Sequence, residues 1–308
     1  MKIIIPFFTL LILSISVCTA QNRTTDTSAT CIAFWKNKET KIYQIKHSKE
    51  RLTAKGNTAS DATYEAHIKV ADSAAEGFTI EWVYKNFKPG GTADNTINSL
   101  NSILEGLKII YKTDDVGTFT ELLNWKEVKD FAIGNFEKAT ANKNTDKEFI
   151  AALNQVKAIF QSKENIEAVL IREVQLFHSP YGVEYTKSPI VTETELPNVT
   201  GGAPFPASII LKLDELNTKM NYCRVSLNQK IDKEKAGPII AAMLKKLSGS
   251  KAVDEAEINS QIKDMEISDF NSFTYSISGG WMDKVVYKRI ANAGSSKSIE
   301  TYEITEKK

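Results

Sequence analysis

Apolar and polar residues alternate with a period of two along three stretches near the start of the chain. Alternation of this kind is typical of β-strands that bury only one face. Short polar turns separate the stretches, so we expect them to pair as an antiparallel meander. They are KIYQIKH (41–47), ATYEAHIKV (62–70) and GFTIEWVYKNF (77–87).

The same alternation returns in the last third of the chain. Polar or glycine-containing segments separate five further stretches, which again predicts antiparallel pairing of neighbours. These stretches are ASIILKLDEL (207–216), MNYCRVSLNQ (220–229), FTYSIS (273–278), WMDKVVYKRI (281–290) and SIETYEIT (298–305).

Between the two strand regions, apolar residues recur every three to four positions, which is the spacing of amphipathic helices. Helix-capping residues stand before three such stretches, namely Asn124, Thr145 and Ser162. Residues 125–178 are therefore predicted to form a helical block. Shorter helical stretches are predicted for residues 96–107, 238–247 and 253–262.

The segment GTFTELLNWKEV (117–128) joins a short hairpin to the first helix of this block. Asn124 is a good N-cap, and Glu127, three positions later, completes an asparagine form of the capping box. Trp125 is expected to pack beside the entry to the helix. Each of these residues has a structural role, so we interpret the segment as a joint between sheet and helix and not as an active site.

Together these patterns predict an α+β fold. A twisted antiparallel sheet is expected from the N- and C-terminal strand regions, with the central helical block packed on one of its faces. We expect a single domain over residues 31–308, with residues 125–178 as a helical insertion. The amphipathic helices need an apolar surface to lie on, and the sheet would supply it.

The start of the chain, MKIIIPFFTLLILSISVCTAQ, has one charge, an apolar run and small residues leading to Ala20. This pattern is typical of a secretory signal peptide (1–20), with the cut expected after Ala20 and a flexible polar leader over residues 21–30. The rest of the chain has no apolar run long enough to cross a membrane, so we expect a periplasmic or extracellular protein. The alternative is a lipoprotein anchored at Cys18, although Val17 stands where lipoproteins have Gly, Ala or Ser.

Charge and motifs exclude several classes of function. The 39 Lys and Arg residues balance 38 Asp and Glu residues, and no long basic stretch could follow a phosphate backbone, so nucleic acid is not expected as a partner. The sequence has no Gly-x-Ser-x-Gly elbow, no His-Glu-x-x-His helix, no phosphate loop and no dinucleotide fingerprint. Ser248-Gly-Ser-Lys251 matches Ser-x-x-Lys formally, but it follows a predicted helix and is interpreted as a glycine stop. The three histidines, His47, His67 and His178, lack the spacing of a metal site. We therefore expect no catalytic residue, metal or cofactor, and a protein that is not an enzyme.

Export would leave two cysteines, Cys31 and Cys223, in an oxidising compartment. One hypothesis is a disulfide that ties the start of the folded domain to a late strand. The other is a pair of buried thiols, because free cysteine packs as a small apolar residue. The sequence leaves both open.

The aromatic face of the N-terminal meander is the best candidate for a binding surface. If the helices leave a gap above it, the face would line a pocket for an apolar ligand. If the helices cover it completely, the same residues are core. The candidate ligand-binding residues are Tyr64, Ile68, Phe78, Ile80, Trp82 and Tyr84.

Four segments, the leader ending in Thr-Ala-Gln, GFTIEWVYKNF, GTFTELLNWKEV and SGGWMDKVVYKRI, together resemble a group of uncharacterised secreted α+β proteins from Gram-negative bacteria. At the level of fold only, the layout is also similar to the periplasmic lipoprotein carriers. The resemblance implies no particular activity.

Three hypotheses for function follow. The first is a non-enzymatic envelope protein that binds an apolar small molecule, a lipid or a lipidated partner between sheet and helices. The second is an envelope protein with a closed core that acts through its outer surface on another protein or a glycan. The third is an enzyme whose residues are assembled across the fold without a recognisable local motif.

Overall fold

The computed structural model of the chain describes residues 24–54, 56–90, 104–140, 160–196, 203–248, 265–293 and 296–308. Most of these residues lie in β-strands, and within the described ranges there are four helices. The predicted α+β class is therefore wrong, because the protein is mainly β. The strands extend well beyond the alternating stretches: Gly56–Ala74 is one strand of 19 residues, since pairing with long neighbours satisfies the backbone of polar segments that look like turns in the sequence.

Eleven strands form one antiparallel sheet in the order β6-β5-β4-β3-β2-β13-β12-β11-β10-β9-β8, and β1 and β7 form a small second sheet. The strands are β1 (Ser28–Thr30), β2 (Thr40–Thr53), β3 (Gly56–Ala74), β4 (Gly77–Pro89), β5 (Lys108–Thr113), β6 (Phe119–Leu122), β7 (Glu184–Thr186), β8 (Ile190–Leu196), β9 (Phe205–Asn217), β10 (Tyr222–Ile231), β11 (Glu266–Ser276), β12 (Met282–Ala293) and β13 (Ser296–Glu306). Each predicted strand overlaps a strand of this set, and the predicted ends at 220–221, 277–278 and 281 lie outside the strands.

The two strand regions meet in the middle of the large sheet. The last strand, β13, pairs antiparallel with β2 over ten residue pairs, from Lys297 opposite Leu52 to Glu306 opposite Tyr43. This pairing joins a meander from each end of the chain into one continuous sheet. Three of the four described helices and β7 lie in the connection between the two edge strands, β6 and β8, and the fourth helix connects β10 with β11.

The described helices are α1 (Trp125–Thr140), α2 (Lys163–Leu170), α3 (Arg172–His178) and α4 (Lys233–Ser248). The shortest of them, α3, lies deepest: its side chains form hydrogen bonds to Tyr64 on β3, Tyr84 on β4 and Tyr287 on β12. Strands so far apart in one sheet can contact the same short helix only if the sheet curves around it. We call the sheet face toward α3 the inner face, and the opposite one the outer face.

The core lies between the inner face and α3. Alternate residues of the strands point into it, as the period-two pattern predicts. Its largest fully buried side chains are aromatic, and they come from both halves of the chain. They include Tyr43, Trp82, Tyr84, Tyr111, Phe177, Tyr181, Phe273, Tyr275 and Tyr287.

Part of the predicted flexible leader is ordered structure. Ser28–Thr30 pair with Glu184–Thr186 as β1 and β7, and Ala29 is buried. Composition suggested a solvated tail, but Ala29 and Cys31 are small enough to fit against the core, which places their polar neighbours in a sheet.

Several predictions fall on residues that the structure does not describe. These are the signal peptide, its cut after Ala20 and the alternative anchor at Cys18, the capping box at Thr145, and the helix over residues 253–262. The helix predicted over residues 96–107 falls mostly in the same category, and its described part, 104–107, is not helical and forms a turn at 104–106.

Candidate functional site

The candidate ligand-binding residues lie together on the inner face, and five of the six are buried. Trp82 and Tyr84 are both 0% exposed, and the Trp82 ring packs edge-on against Phe177 of α3, with centroids 5.7 Å apart. Phe78 is half-buried and contacts the ring of Trp35 instead. The face is thus occupied by α3 and its own neighbours. The other three, Tyr64, Ile68 and Ile80, belong to the same packed cluster.

Two hydroxyl groups of this face are bound by one carboxylate. Tyr64 donates to Glu173 Oε1 at 2.7 Å, and Tyr84 donates to Glu173 Oε2 at 3.1 Å. Burial raises the pKa of both tyrosines well above the usual range, and the negative charge of Glu173 raises it further. Both stay protonated and satisfy the buried carboxylate. This arrangement locks α3 onto β3 and β4, and it leaves Glu173 without a free oxygen for proton transfer to a substrate.

His178, at the end of α3, is buried and neutral. Its Nδ1 lies 2.8 Å from the carbonyl oxygen of Gly117, and its Nε2 lies 2.7 Å from the Tyr111 hydroxyl. A carbonyl only accepts, so Nδ1 carries the proton and Nε2 accepts from Tyr111. Burial lowers the pKa of His178 to about 4, although the bond to Gly117 acts in the opposite direction.

Gly117 is the first residue of the segment 117–128, which the sequence pattern indicates is a joint between sheet and helix. Its φ is 101°, and a Cβ there would lie 2.8 Å from Ala33 Cβ and 2.9 Å from the Tyr181 ring. Glycine is therefore required by both backbone conformation and space. The segment is a joint, and its carbonyl fixes the tautomer of His178.

Near the start of α3, a cluster of charged side chains joins the helix to three strands of the inner face, β11, β12 and β13. Arg172 donates to Glu300 Oε2 at 2.8 Å and also bonds the hydroxyl of Tyr287. Arg289 binds both oxygens of Asp269, each at 2.6 Å. The two arginines balance the two carboxylates, so the cluster has no unpaired charge to offer a ligand.

Glu300 stays ionised although it is partly buried. Burial alone would raise its pKa, but the hydrogen bond from His47 and the charge of Arg172 outweigh it and lower the pKa of Glu300 to about 2. His47 Nε2 lies 3.1 Å from Glu300 Oε1, and its ring stacks on Tyr302 with centroids 4.1 Å apart. The carboxylate is thus charged at neutral pH and fully occupied.

The other histidine of the strand region lies on the opposite face. His67 is opposite Ile42 in the β2–β3 register and bonds Glu65 at 2.9 Å, so it cannot meet His47. In the part of the chain that the structure describes, no group of three or more His, Cys, Asp or Glu residues is placed to hold a metal ion.

Cys31 and Cys223 are both buried, and they lie in contact as free thiols. Burial, and then the hydrogen bond to Cys223, raise the pKa of Cys31 well above its usual range. A thiol with a raised pKa is a poor nucleophile, so this pair is suited to a structural role. Whether the pair is oxidised to a disulfide stays a prediction.

The outer face carries a feature that the sequence analysis did not select. Val191, Ile210, Asn228 and Phe270 are successive cross-strand partners on β8, β9, β10 and β11. The three apolar members, which we call the apolar row, are 63%, 39% and 46% exposed in that order. Exposed apolar residues that are aligned on neighbouring strands, and not scattered, are typical of an interaction surface.

Sequence patterns contained partial signals for these missed residues. Glu173 stands three positions after Leu170 and four before Phe177, on the apolar stripe of a predicted helix, which is an unusual place for a carboxylate. The apolar row had no such signal. Its members become neighbours only through the register of four strands.

Among the described residues, no helix combines the length and the apolar character needed to cross a membrane.

Comparisons with known proteins add little to this picture. The chain matches no protein family model and no curated protein. It is similar to the solved structure of DynF from the dynemicin biosynthesis pathway of Micromonospora chersina, with 5% sequence identity, 90% of this chain and 84% of that chain covered, and a TM-score of 0.21. A TM-score this low supports neither a shared fold nor a shared function.

Proposed function

We propose that the protein is a non-enzymatic binding protein of the cell envelope that acts through its outer surface on another protein. The observation that carries the proposal is the exposed apolar row of Val191, Ile210 and Phe270, next to a core whose aromatic residues are buried. A sheet surface with an apolar strip and polar surroundings is the composition expected of a protein-binding face.

The buried polar groups of the interior also favour a non-enzymatic protein. The carboxylate of Glu173 is used by two tyrosine hydroxyls, and Asp269 and Glu300 are each neutralised by an arginine. An enzyme needs at least one such group free to meet a substrate. In the described interior, Glu173 and Glu300 instead fix α3 within the sheet, and Asp269 joins β11 to β12 through Arg289 and Tyr287.

The second candidate function is the binding of an apolar ligand or a lipidated partner between sheet and helices. One observation favours it: the Trp82 indole N–H and the Tyr43 hydroxyl are buried and have no hydrogen-bond partner among the described residues. Buried polar groups of this kind are rare and call for an explanation. Native mass spectrometry of protein purified without detergent would show a co-purified lipid or another small molecule if this candidate is correct.

Site-specific crosslinking tests the proposed function. A photo-reactive amino acid at Asn228, between Ile210 and Phe270 in the register, should form an adduct with a partner protein in intact cells. Phe270→Ser should remove the adduct, because it removes the largest apolar side chain of the row. Phe270→Ser should keep the thermal stability of the parent within roughly 0.5 kcal/mol, since Phe270 is exposed. Asn228 is half-buried and its side chain accepts from the backbone N–H of Asn271 at 3.2 Å, so the labelled protein should lose roughly 1 kcal/mol and stay folded.

Met220→Ser is the matched control for this experiment. Met220 is 71% exposed and lies at the turn between β9 and β10, away from the apolar row. The proposal expects the adduct to persist in this variant. An adduct equally strong in the parent and in Phe270→Ser, or no adduct at all, would contradict the proposal.

A further inference from the structure

The edge strand β8 has features that define which kind of partner could bind there. It is the last strand of the large sheet and pairs only with β9 among the described residues. Five of its seven residues are exposed, and Val191, its most exposed apolar residue, is 63% exposed. An edge strand of this kind presents backbone N–H and C=O groups that can pair with another chain.

The other edge of the sheet is protected. Strand β6 has only four residues, and the backbone N–H of Leu122 on it donates to the Glu167 side chain at 3.2 Å. A short strand whose backbone is bound by a side chain is a common way to block further pairing. The two edges therefore differ, and β8 is the open one.

Two acidic residues give the open edge a negative charge. Glu193 and Glu195 alternate with threonine on β8, so they share the outer face with Val191. Glu193 also lines a cavity of about 540 Å³, whose four carboxylates, from Glu193, Asp232, Glu234 and Glu266, outnumber the lining lysines, Lys230 and Lys233, even when the nearby Lys235 is counted with them. A basic side chain placed opposite Glu193 would reach the mouth of this cavity.

The charges also argue against a second copy of the chain as the occupant. Full antiparallel overlap of Ile190–Leu196 with itself places Glu193 opposite Glu193 and Glu195 opposite Val191. Like charges directly opposite each other destabilise a strand pair. Acidic residues at this position thus disfavour self-association and favour a partner of opposite charge.

We propose that β8 accepts an extended segment of a partner protein as a twelfth strand, and that this segment carries Lys or Arg at alternate positions followed or preceded by an apolar residue. The basic residues pair with Glu193 and Glu195, and the apolar residue lies beside Val191 and extends the apolar row. Backbone pairing provides the affinity, and the alternate side chains provide the specificity. This inference rests on the proposed function, because it names the partner chemistry for the same surface.

One internal contact must be exchanged when the segment binds. Lys235 Nζ lies 3.7 Å from Glu193 and 3.0 Å from Asp232. A partner lysine would take the place of Lys235 at Glu193, while Lys235 keeps its shorter contact with Asp232. The exchange replaces a long, exposed ion pair, which contributes little by itself.

The test uses short blocked peptides and fluorescence anisotropy at low salt. The basic probes are the seven-residue peptides Thr-Lys-Thr-Lys-Thr-Val-Thr and its reverse, which match antiparallel and parallel addition. Acidic versions carry Glu in place of Lys. We expect one basic probe to bind the parent protein, and Glu193→Lys with Glu195→Lys to weaken it by about ten-fold or more while the acidic version gains affinity.

Glu50→Lys with Glu76→Lys is the matched control. Both residues are exposed and lie away from β8, and the change in net charge is the same. If the control weakens binding as much as the β8 variant does, the attraction is unspecific and the inference is overturned. The inference is also overturned if neither basic probe binds, or if binding leaves hydrogen exchange of the β8 amides unchanged.

The same β8 variant separates this inference from the proposed function. In the crosslinking experiment, loss of the adduct in both Phe270→Ser and the β8 double variant supports both. If the adduct is lost in Phe270→Ser but kept in the β8 variant, the outer surface binds a partner and the added strand is wrong.

Discussion

His178 lies at a helix C-terminus, where the sequence predicts a favourable position for a cation. In the folded protein the opposite holds, because burial lowers the pKa of its imidazole to about 4. The free-energy cost of removing a charged imidazolium from water exceeds its favourable interaction with the C-terminal end of a seven-residue helix. The ring is therefore a neutral link between Gly117 and Tyr111.

This residue should make folding sensitive to mild acid. The unfolded chain takes up a proton near pH 6.5, whereas the folded protein does so only near about 4. The free energy of unfolding should therefore be constant above pH 6.5 and should fall between pH 6.5 and 4, by about 3 kcal/mol in total. Urea unfolding across this range measures the slope.

His178→Gln is the control for that measurement. The glutamine amide can donate to Gly117 and accept from Tyr111, but it does not titrate. Carboxylates such as Glu300, whose pKa is about 2, contribute only below pH 4.5. Equal slopes for the parent and the variant between pH 6.5 and 5 would rule out His178 as the cause.

At the scale of single elements, the start of α1 was predicted correctly, but the Asn124 side chain has a different role from the predicted one. Helix α1 begins at Trp125, as predicted. The Asn124 side chain, however, accepts from the backbone N–H of Ile110 at 2.8 Å and donates to the carbonyl of Lys108 at 2.9 Å. It ties the start of α1 to β5 and does not act as the predicted capping box.

Substitution of Asn124 distinguishes the two roles. Asn124→Ala should destabilise the protein by roughly 1 to 3 kcal/mol, because two backbone groups of β5 lose their partners. Asn124→Ser should cost nearly as much, since serine can cap a helix but cannot reach both groups on β5. Thermal unfolding measures both. Full stability in the serine variant would restore the capping interpretation, and Asn57→Ala, at an exposed strand position, controls for the loss of an amide.

The edge strand β8 shows what strand patterns leave out. Its sequence, IVTETEL, alternates weakly and follows a predicted helical block, so the pattern did not identify it as a separate strand. It became an edge because β9 already pairs with β10 on its other side. Edge status is a property of the sheet order, and no local pattern contains it.

At the scale of the whole molecule, the pairing of β2 with β13 unites the two ends of the chain. Cys31 and Cys223 cross-connect the same halves, since one follows β1 and the other lies on β10. They are in contact in the fold. This contact is compatible with a disulfide in a compartment that supplies an oxidant for thiols.

Thiol titration tests the state of this pair. Protein isolated from an oxidising compartment and then unfolded should show no free thiol before reduction and two after it. Replacing both cysteines with alanine should then destabilise the protein by roughly 2 to 5 kcal/mol. Two reactive thiols in the unfolded protein without prior reduction would leave the pair as buried thiols.

The amino-acid sequence by itself determined the positions of most strands and helices and the apolar face of each. Period-two and helical patterns are local, and burial of that face is their direct physical cause. The proportion of strand, and so the fold class, was not determined in this way, because long-range pairing extends strands into polar segments such as the start of β3. Tertiary structure alone decided that α3 lies inside the curved sheet, that Glu173 and His178 are buried and paired, and that Val191, Ile210 and Phe270 form one exposed row. Each of these depends on contacts between residues far apart in the chain, which the register of the sheet brings together.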